Sequence, residues 1–382
     1  MRSRAAVLYE WGAPLEIREI DVAEPRLGEV AVRVEVAGLC HSDLSVMEGK
    51  IPQQLPFVPG HEAVGRVEAL GPGVTSVAVG DVVLMVYRAA CGTCSYCTRG
   101  RPALCAMAVQ IRGTGRLLDG TTRYHDGERE LHHFSGVSAF SEVIVVPASA
   151  AIKVDDDLPL DAVAVIGCAV LTGFGAVVNA ADVQPGESAV VVGTGGVGLN
   201  VVQGCRVSGA DPIIAVDTAE EKLAMARELG ATHAILATEE DVAARVHEIT
   251  GDGADYLFEV VGAPALVEMG LTAVRRGGTV VVIGAPAASA QFAVNQLALL
   301  SQEKVIKGSL YGSSNFWRDV PTIIGLWRAG KLDIDRLVQH RYRLDDINQG
   351  FHDLHDGQLG RSVVEMSQPT RTTTTPTRRG ST

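Results

Sequence analysis

Two hydrophobic rhythms divide the chain. In the first half Val30–Val36 alternates apolar and polar positions, and Val64–Glu68, Val82–Val86 and Glu142–Val146 are short apolar runs. Gly60, Gly65, Gly71-Pro72-Gly73 and Gly80 punctuate them. Short strands with closely spaced turn signals predict an antiparallel β unit or small barrel. The rhythm changes near Ala162, and from Ser188 strand-like and helix-like stretches alternate. Ala189–Val192, Ile213–Val216, His233–Leu236, Tyr256–Val261, Thr279–Ile283 and Val305–Leu310 read as six strands, with helical composition over Val197–Ser208 and Glu220–Leu229. That order predicts an α/β, doubly wound parallel sheet. Helical stretches follow at Val320–Gly330 and Asp345–Leu354, then a last strand ending near Met366. Residues 367–382, SQPTRTTTTPTRRGST, offer no apolar face and are expected to be disordered.

Ala162–Val178 and Ser188–Cys205 lack charge, but glycines break both, so they read as buried elements and not membrane spans. A length of 382 residues suits two domains. The hydrophobic share of 47% and charged share of 20% are globular. A net charge of −12 argues against coating nucleic acid. Seven cysteines, unevenly placed, make a poor disulfide framework and a better metal or thiol inventory. With no apolar h-region in MRSRAAVLYEWGAPLEI, a reducing cytoplasm is expected.

Gly193-Thr194-Gly195-Gly196-Val197-Gly198 follows an apolar strand and opens a helix, which is the context that gives G-x-G-x-x-G its meaning. Gly193 permits the turn, Gly195 lets backbone approach a pyrophosphate, and Gly198 lets helix and strand pack closely. Asp217 ends the next strand, nineteen residues after Gly198. Its carboxylate suits both ribose hydroxyls and repels a 2′-phosphate, which favours NAD over NADP; Lys222 adds a contact to the same ribose. The alternative is a packing turn without nucleotide.

Cys91, Cys94, Cys97 and Cys105 place four thiols within fifteen residues. Such spacing wraps one tetrahedral ion and leaves no open position, which suits a structural zinc. A redox C-x-x-C accounts for only two of the four, and an iron–sulfur cluster is the remaining alternative. Cys40, His61 and Cys168 are ligand types that local spacing cannot connect. Singly, each also reads as ordinary packing.

Taken together, Cys40-His41-Ser42-Asp43, Gly60-His61-Glu62, the Cys91–Cys105 lobe, Gly167-Cys168 and the Gly193–Gly198 loop resemble, in order and distance, the zinc-containing medium-chain alcohol dehydrogenases. The resemblance runs from about residue 5 to 366. It implies a GroES-like β-rich catalytic domain (1–169, continued by 311–366) split around a Rossmann domain (170–310). It further implies two zinc ions and NAD. Cys40, His61 and Cys168 would hold the catalytic zinc, with Asp43 fixing the His61 tautomer and Glu62 placed to influence and transiently approach the ion. Ser42 would accept the alcohol proton. His41 and Arg361 would touch the pyrophosphate, Thr172 and Val197 brace the nicotinamide, and Ile283, Ala285 and Leu310 hold its carboxamide. Tyr87 falls at a substrate-pocket position. The implied reaction is reversible hydride transfer between NAD and a primary or aromatic alcohol or aldehyde held at the zinc. A thiol-adduct formaldehyde dehydrogenase and a non-catalytic NAD-binding relative are the alternatives.

The chain departs from parts of the family pattern. Many members end the proton relay with a histidine where Ser45 stands, so the proton must leave through water or another group such as His41. The long Cys105–Phe140 loop resembles glutathione-dependent formaldehyde dehydrogenases and nicotinoprotein alcohol dehydrogenases. Val109 replaces an arginine of the glutathione class, and only Glu48 remains of its carboxylates in Leu44–Pro59, which disfavours glutathione adducts. Arg341–Leu344 and Asn348–Gly350 resemble the nicotinoprotein type. The family's long-loop members imply a homodimer joined through Val305–Leu310, with no nucleic-acid or membrane partner. Cys205 is left over and reads as packing.

Overall fold

The computed structural model describes residues 1–357 and 359–366. The expectation for 367–382 lies outside the described residues. Three sheets form. Six parallel strands follow the order His233–Leu236, Ile213–Asp217, Ala189–Val192, Ala254–Glu259, Val274–Val282, Val305–Gly308. Strand order reverses between Ala189–Val192 and Ala254–Glu259, so a crevice opens at their carboxyl ends beside Gly193. Ala189–Val192 is buried throughout, as a central parallel strand covered on both faces must be.

The second sheet is centred on Glu29–Leu39, whose partners are Ala63–Leu70, Val143–Pro147 and Arg361–Glu365. Val338–Arg343 pairs with Arg361–Glu365, so the chain returns to this sheet after leaving the parallel one. The third sheet runs Arg2–Val7, Glu16–Val22, Tyr124–Asp126, Arg129–His133, Phe57–Val58. Periodicity of apolar runs did not reveal it. Glu16–Val22 (EIREIDV) keeps one face charged toward solvent, and Arg2 pairs there with Glu19 at 2.8 Å.

A continuous helix, Leu160–Ala181, joins the two halves; it is long and apolar enough to cross a membrane, yet 89% of its most apolar window is buried inside the protein. It is the core element expected from its composition. Two π-type segments, Ile166–Val170 and Ala176–Ala181, widen it locally. Such bulges aim side chains that a regular helix would turn away, and the first carries Cys168. A Cβ on Gly173 would lie 2.4 Å from the Val197 carbonyl oxygen, so only glycine lets this helix ride against the one that opens the phosphate loop.

Several boundaries differ from expectation. The last parallel strand ends at Gly308, because Tyr311 (φ 54°) and Gly312 (φ 65°) turn the backbone left-handed. The helix expected from Val320 begins at Phe316, with Pro321 inside its first turns. The long Cys105–Phe140 loop contains a helix, Ala106–Thr114, and the Tyr124–Asp126/Arg129–His133 hairpin.

Candidate metal centres and cofactor cleft

The four-cysteine lobe is closed. Sulfur–sulfur separations are 3.5 Å for Cys94–Cys97, 3.9 Å for Cys94–Cys105 and 3.6 Å for Cys105–Cys91. A tetrahedral ion with ~2.3 Å zinc–sulfur bonds needs edges of about 3.8 Å, so these three edges are close to those of a zinc site. Backbone N–H groups already point at sulfur: Cys94 donates to Cys91 and Cys91 to Cys105, both at 3.3 Å. Backbone N–H groups of Cys97 and Ala106 hold the Cys94 thiol down at about 6.

Cys40, His61 and Cys168 come together from three elements, their ligand atoms all within 4.8 Å of one another and all three residues buried. Cys40 follows the strand Glu29–Leu39, His61 precedes Ala63–Leu70, and Cys168 comes from the π segment. His61 Nε2 lies 3.3 Å from Cys168 Sγ, close to the roughly 3.5 Å edge of a mixed nitrogen–sulfur tetrahedron. Three donors of this kind leave a fourth corner open. Asp43 is fully buried, and its Oδ1 accepts the Gly60 N–H at 3.0 Å and faces His61 Nδ1 at 3.0 Å. Burial alone would lower the His61 pKa; Asp43, then Cys40, outweigh it and raise it to about 10. Burial likewise raises the Asp43 pKa.

Aromatic rings wall this pocket. Tyr87 and Phe134 stand edge-on to His61 at 5.2 and 5.8 Å. Tyr311 lies 4.2 Å from Tyr87, and its hydroxyl donates to the Gly167 carbonyl. Desolvation pushes both phenols well up, so they stay protonated. The Thr172 hydroxyl is buried there without a partner. Ser42 sits half-buried in the first turn of the short helix His41–Met47.

The phosphate loop is shaped as its sequence requires. A Cβ on Gly198 would fall 1.8 Å from the Gly193 carbonyl oxygen, so the helix Gly196–Ser208 packs at a distance that only glycine permits. Its N-terminus faces the crevice that Gly193, Gly195 and Gly196 border, a favourable seat for an anion. Asp217 stands at the carboxyl end of its strand. Thr194 donates to its Oδ2 through N–H (2.7 Å) and hydroxyl (3.0 Å), while Thr218 and Ala219 N–H groups reach Oδ1. Lys222 reaches across toward Gly357, within 3.8 Å of where a Cβ there would stand. His41 is exposed overall. Its pKa is lowered, first by desolvation of the ring, then by the positive charges of Arg361, Lys222 and His355, against the Cys40 thiolate. Ile283, Ala285 and Leu310 line a cavity of about 420 Å³ with Arg101 and Leu104.

The structure therefore gathers both cysteine-based donor sets, Asp43 and Tyr87 as the sequence implied. Arg361, expected to face a pyrophosphate, is paired with Glu62 while its stem lies on Gly196. Phe134, Thr194 and His355 were given no role in the sequence, and Tyr311 was read only as part of a backbone segment facing the carboxamide, not as a wall of the metal pocket. That segment is Ser309-Leu310-Tyr311, and Thr194 occupies a variable position of the glycine motif. Nothing local marks Phe134. Cys205 is fully buried in its helix, consistent with packing.

Comparison with known proteins agrees with this geometry. Residues 26–156 match the alcohol dehydrogenase GroES-like domain, and residues 196–326 match the zinc-binding dehydrogenase family. The chain is 40% identical to putative alcohol dehydrogenase D of Mycobacterium tuberculosis over 368 residues, covering 95% of this chain and 100% of the relative. It is 40% identical to S-(hydroxymethyl)glutathione dehydrogenase of Paracoccus denitrificans over 375 residues, covering 95% and 100%. Benzyl alcohol dehydrogenase of Acinetobacter calcoaceticus superimposes with a TM-score of 0.91 at 34% identity, covering 96% of this chain and 100% of that one. With two donor sets fitted to zinc and both family signatures matched, the chain belongs to the zinc-containing medium-chain alcohol dehydrogenases.

Proposed function

We propose that the protein is an NAD-dependent dehydrogenase that interconverts a primary, aromatic alcohol and its aldehyde. The observation that carries the reading is the Cys40–His61–Cys168 donor set, open at one corner and walled by Tyr87 and Phe134. When bound, zinc supplies Lewis acidity and NAD accepts or returns the hydride. The chain's own residues do the rest. Asp43 holds His61 in the tautomer that turns Nε2 to the metal. Tyr87, Phe134 and Tyr311 exclude water and offer flat apolar faces to an aromatic ring. Ser42 takes the alcohol proton, and His41 or water carries it away. The Gly193–Gly198 turn receives the pyrophosphate, and Asp217 the adenosine ribose. Thiolate donor sets of this kind suit a reducing cytoplasm.

The proposal extends to a homodimer. Val305–Gly308 is the edge of the parallel sheet, and Leu297 (72% exposed), Leu300 (73%) and Val305 (44%) cluster in sequence beside it. A second copy pairing there would cover an otherwise open edge. Light scattering on wild type and Leu300→Glu tests this, a monomeric wild type counting against it.

The deciding experiment is a panel of alcohols and aldehydes read by reduced-nicotinamide absorbance, with NAD or NADP, beside metal analysis. Turnover of benzyl-type alcohols with NAD and two zinc ions per chain is expected. Formaldehyde turnover only after adding a low-molecular-weight thiol would favour the thiol-adduct reading instead, which the relative named S-(hydroxymethyl)glutathione dehydrogenase keeps in view.

A further inference from the structure

Arg88 is buried, at 8% exposure, in the stretch between the strand Val82–Met85 and Cys91. It directly follows Tyr87, the ring that walls the metal pocket. Its Nε donates to the Ala103 carbonyl at 3.0 Å, two residues before Cys105. Burial pushes the Arg88 pKa down, and Tyr87, then Cys105, then Tyr311 act against that. Desolvation keeps both phenols protonated, so neither brings a charge. Cys105, itself fully buried, is the one of these three neighbours that can answer the guanidinium as an anion. The surrounding sequence carries the same sign. From Val82 to Leu118 a chain of net charge −12 holds five arginines and no Asp or Glu. Of the five, only Arg116 forms an ion pair among the described residues, with Glu130. A one-signed stretch thus surrounds the four thiols, and its most buried charge lies between them and Tyr87.

We propose that Arg88 is the internal counter-ion of the four-cysteine lobe and the positioning residue that ties the lobe to the substrate pocket. This rests on the zinc reading of the lobe and on the dehydrogenase reading above. Four thiolates around one divalent ion make a doubly negative set. A buried guanidinium without an opposite charge is costly, and so is a buried anionic centre; side by side, each offsets the other. The bond to Ala103 holds the short turn Pro102–Leu104 that delivers Cys105. On its other side Arg88 shares a peptide with Tyr87, whose ring lies 5.2 Å from His61 and 4.2 Å from Tyr311. The charged lobe therefore fixes Arg88, and Arg88 fixes the backbone that sets Tyr87 against His61. Loss of this one charge weakens both the hold on the lobe's ion and the fit of a substrate against Tyr87.

The first test is the zinc affinity of the lobe, measured by competition with a chromophoric chelator in a Cys168→Ala background, which disables the other donor set. Arg88→Gln keeps a donor for the Ala103 carbonyl and removes the charge; it is expected to lower that affinity about tenfold or more. Arg88→Lys keeps the charge and is expected to stay within about threefold of the parent. Arg99→Gln, which removes an exposed charge from the same lobe, is expected to stay within about twofold. Arg88→Met, apolar where the charge was buried, covers the case in which Arg88→Gln folds poorly. Parental affinity in Arg88→Gln and Arg88→Met overturns the counter-ion role. Equal weakening by Arg88→Lys and Arg88→Gln overturns it too, because packing and not charge would then be at stake. The second test keeps Cys168 and follows oxidation of benzyl alcohol by NAD. Arg88→Gln is expected to raise KM about fivefold with kcat within about twofold, and Arg88→Lys to restore KM. A KM that stays at the wild-type value while the lobe's zinc affinity falls overturns the tie to the pocket. Failure of the Cys168→Ala parent to hold zinc overturns the zinc reading of the lobe and the whole proposal with it. Failure of wild type to oxidise benzyl alcohol overturns the dehydrogenase reading for that substrate and the tie to the pocket, and the chelator result alone then decides the counter-ion role.

Discussion

Oδ1 of Asp43 lies 3.0 Å from Nδ1 of His61, and both side chains are buried, at 0% and 4% exposure. The same oxygen accepts the Gly60 N–H, so the carboxylate is fixed from the backbone side before it meets the ring. This contact selects the His61 tautomer in which Nε2 is free to bind a metal. Asp43→Asn can present its amide instead of an acceptor and leaves the ring less firmly set. Affinity for the catalytic zinc is expected to fall about 10–100-fold, with the structural zinc retained. Zinc titration against a competing chelator measures it, and equal affinity in wild type and variant would contradict the role given to Asp43.

The two zinc sites separate by what their loss does. Cys168 sits on a π segment deep in the core, and the surrounding helix is packed independently of any ligand. Cys168→Ala is expected to lower turnover about a thousandfold or more while circular dichroism and dinucleotide binding persist. Cys94 belongs to a lobe with little regular structure of its own, and the lobe's sulfur–sulfur separations of 3.5, 3.9 and 3.6 Å suit a single tetrahedral ion. Cys94→Ala is expected to cost about 3 kcal/mol or more of stability and to release one zinc per chain. Turnover unchanged by Cys168→Ala would remove it from the catalytic site.

Asp217 is held by four donors, two of them from Thr194. A carboxylate pinned in this way cannot swing aside for a 2′-phosphate, and like-charge apposition costs ~2 kcal/mol or more. Asp217→Ala is therefore expected to reduce the preference for NAD over NADP about thirtyfold. Thr194→Val, which removes one of the four donors and keeps the shape, is expected to move the ratio in the same direction by less. Affinity ratios for the two cofactors decide it; a ratio unmoved by Asp217→Ala takes that residue out of the ribose site.

What could be read in the sequence followed from how local the signal was. The lobe of four cysteines and the Gly193–Gly198 turn are contiguous, so spacing alone implied their geometry. The helix Glu220–Leu229 was bounded correctly because Glu220 and Gly230 punctuate it. Cys40, His61 and Cys168 lie 107 residues apart at the widest step, and only the order of motifs joined them. The third sheet stayed hidden because Glu16–Val22 buries so little that it does not alternate cleanly. Phe134 and Tyr311 reach the pocket through a loop and a left-handed turn, whose paths depend on packing that no periodicity encodes. The Arg361–Glu62 pair was divided in the sequence between two roles, since residues 299 apart give no sign that one side chain rests on the other.

A last prediction concerns pH and a residue outside the catalytic pocket. His133 is fully buried, its Nε2 accepts the Arg123 N–H at 3.1 Å, and its Nδ1 has no partner. Burial first, then the positive charges of Arg123 and His132, push its pKa down from 6.5 to about 3. The unfolded chain therefore takes up this proton more readily than the folded one. The contribution to stability is fully present above the unfolded value of 6.5 and is lost as pH falls toward the folded value of about 3. Below about pH 6 the loss approaches ~1.4 kcal/mol per pH unit from this one group. His133→Gln keeps an acceptor for the Arg123 N–H and cannot titrate. Urea midpoints for both proteins between about pH 7 and pH 5, with zinc content checked at each point, are expected to show a shallower fall for the variant. Because acid loss of zinc affects both proteins alike, the difference between their slopes isolates His133, and parallel slopes would show that the ring is protonated in the native state.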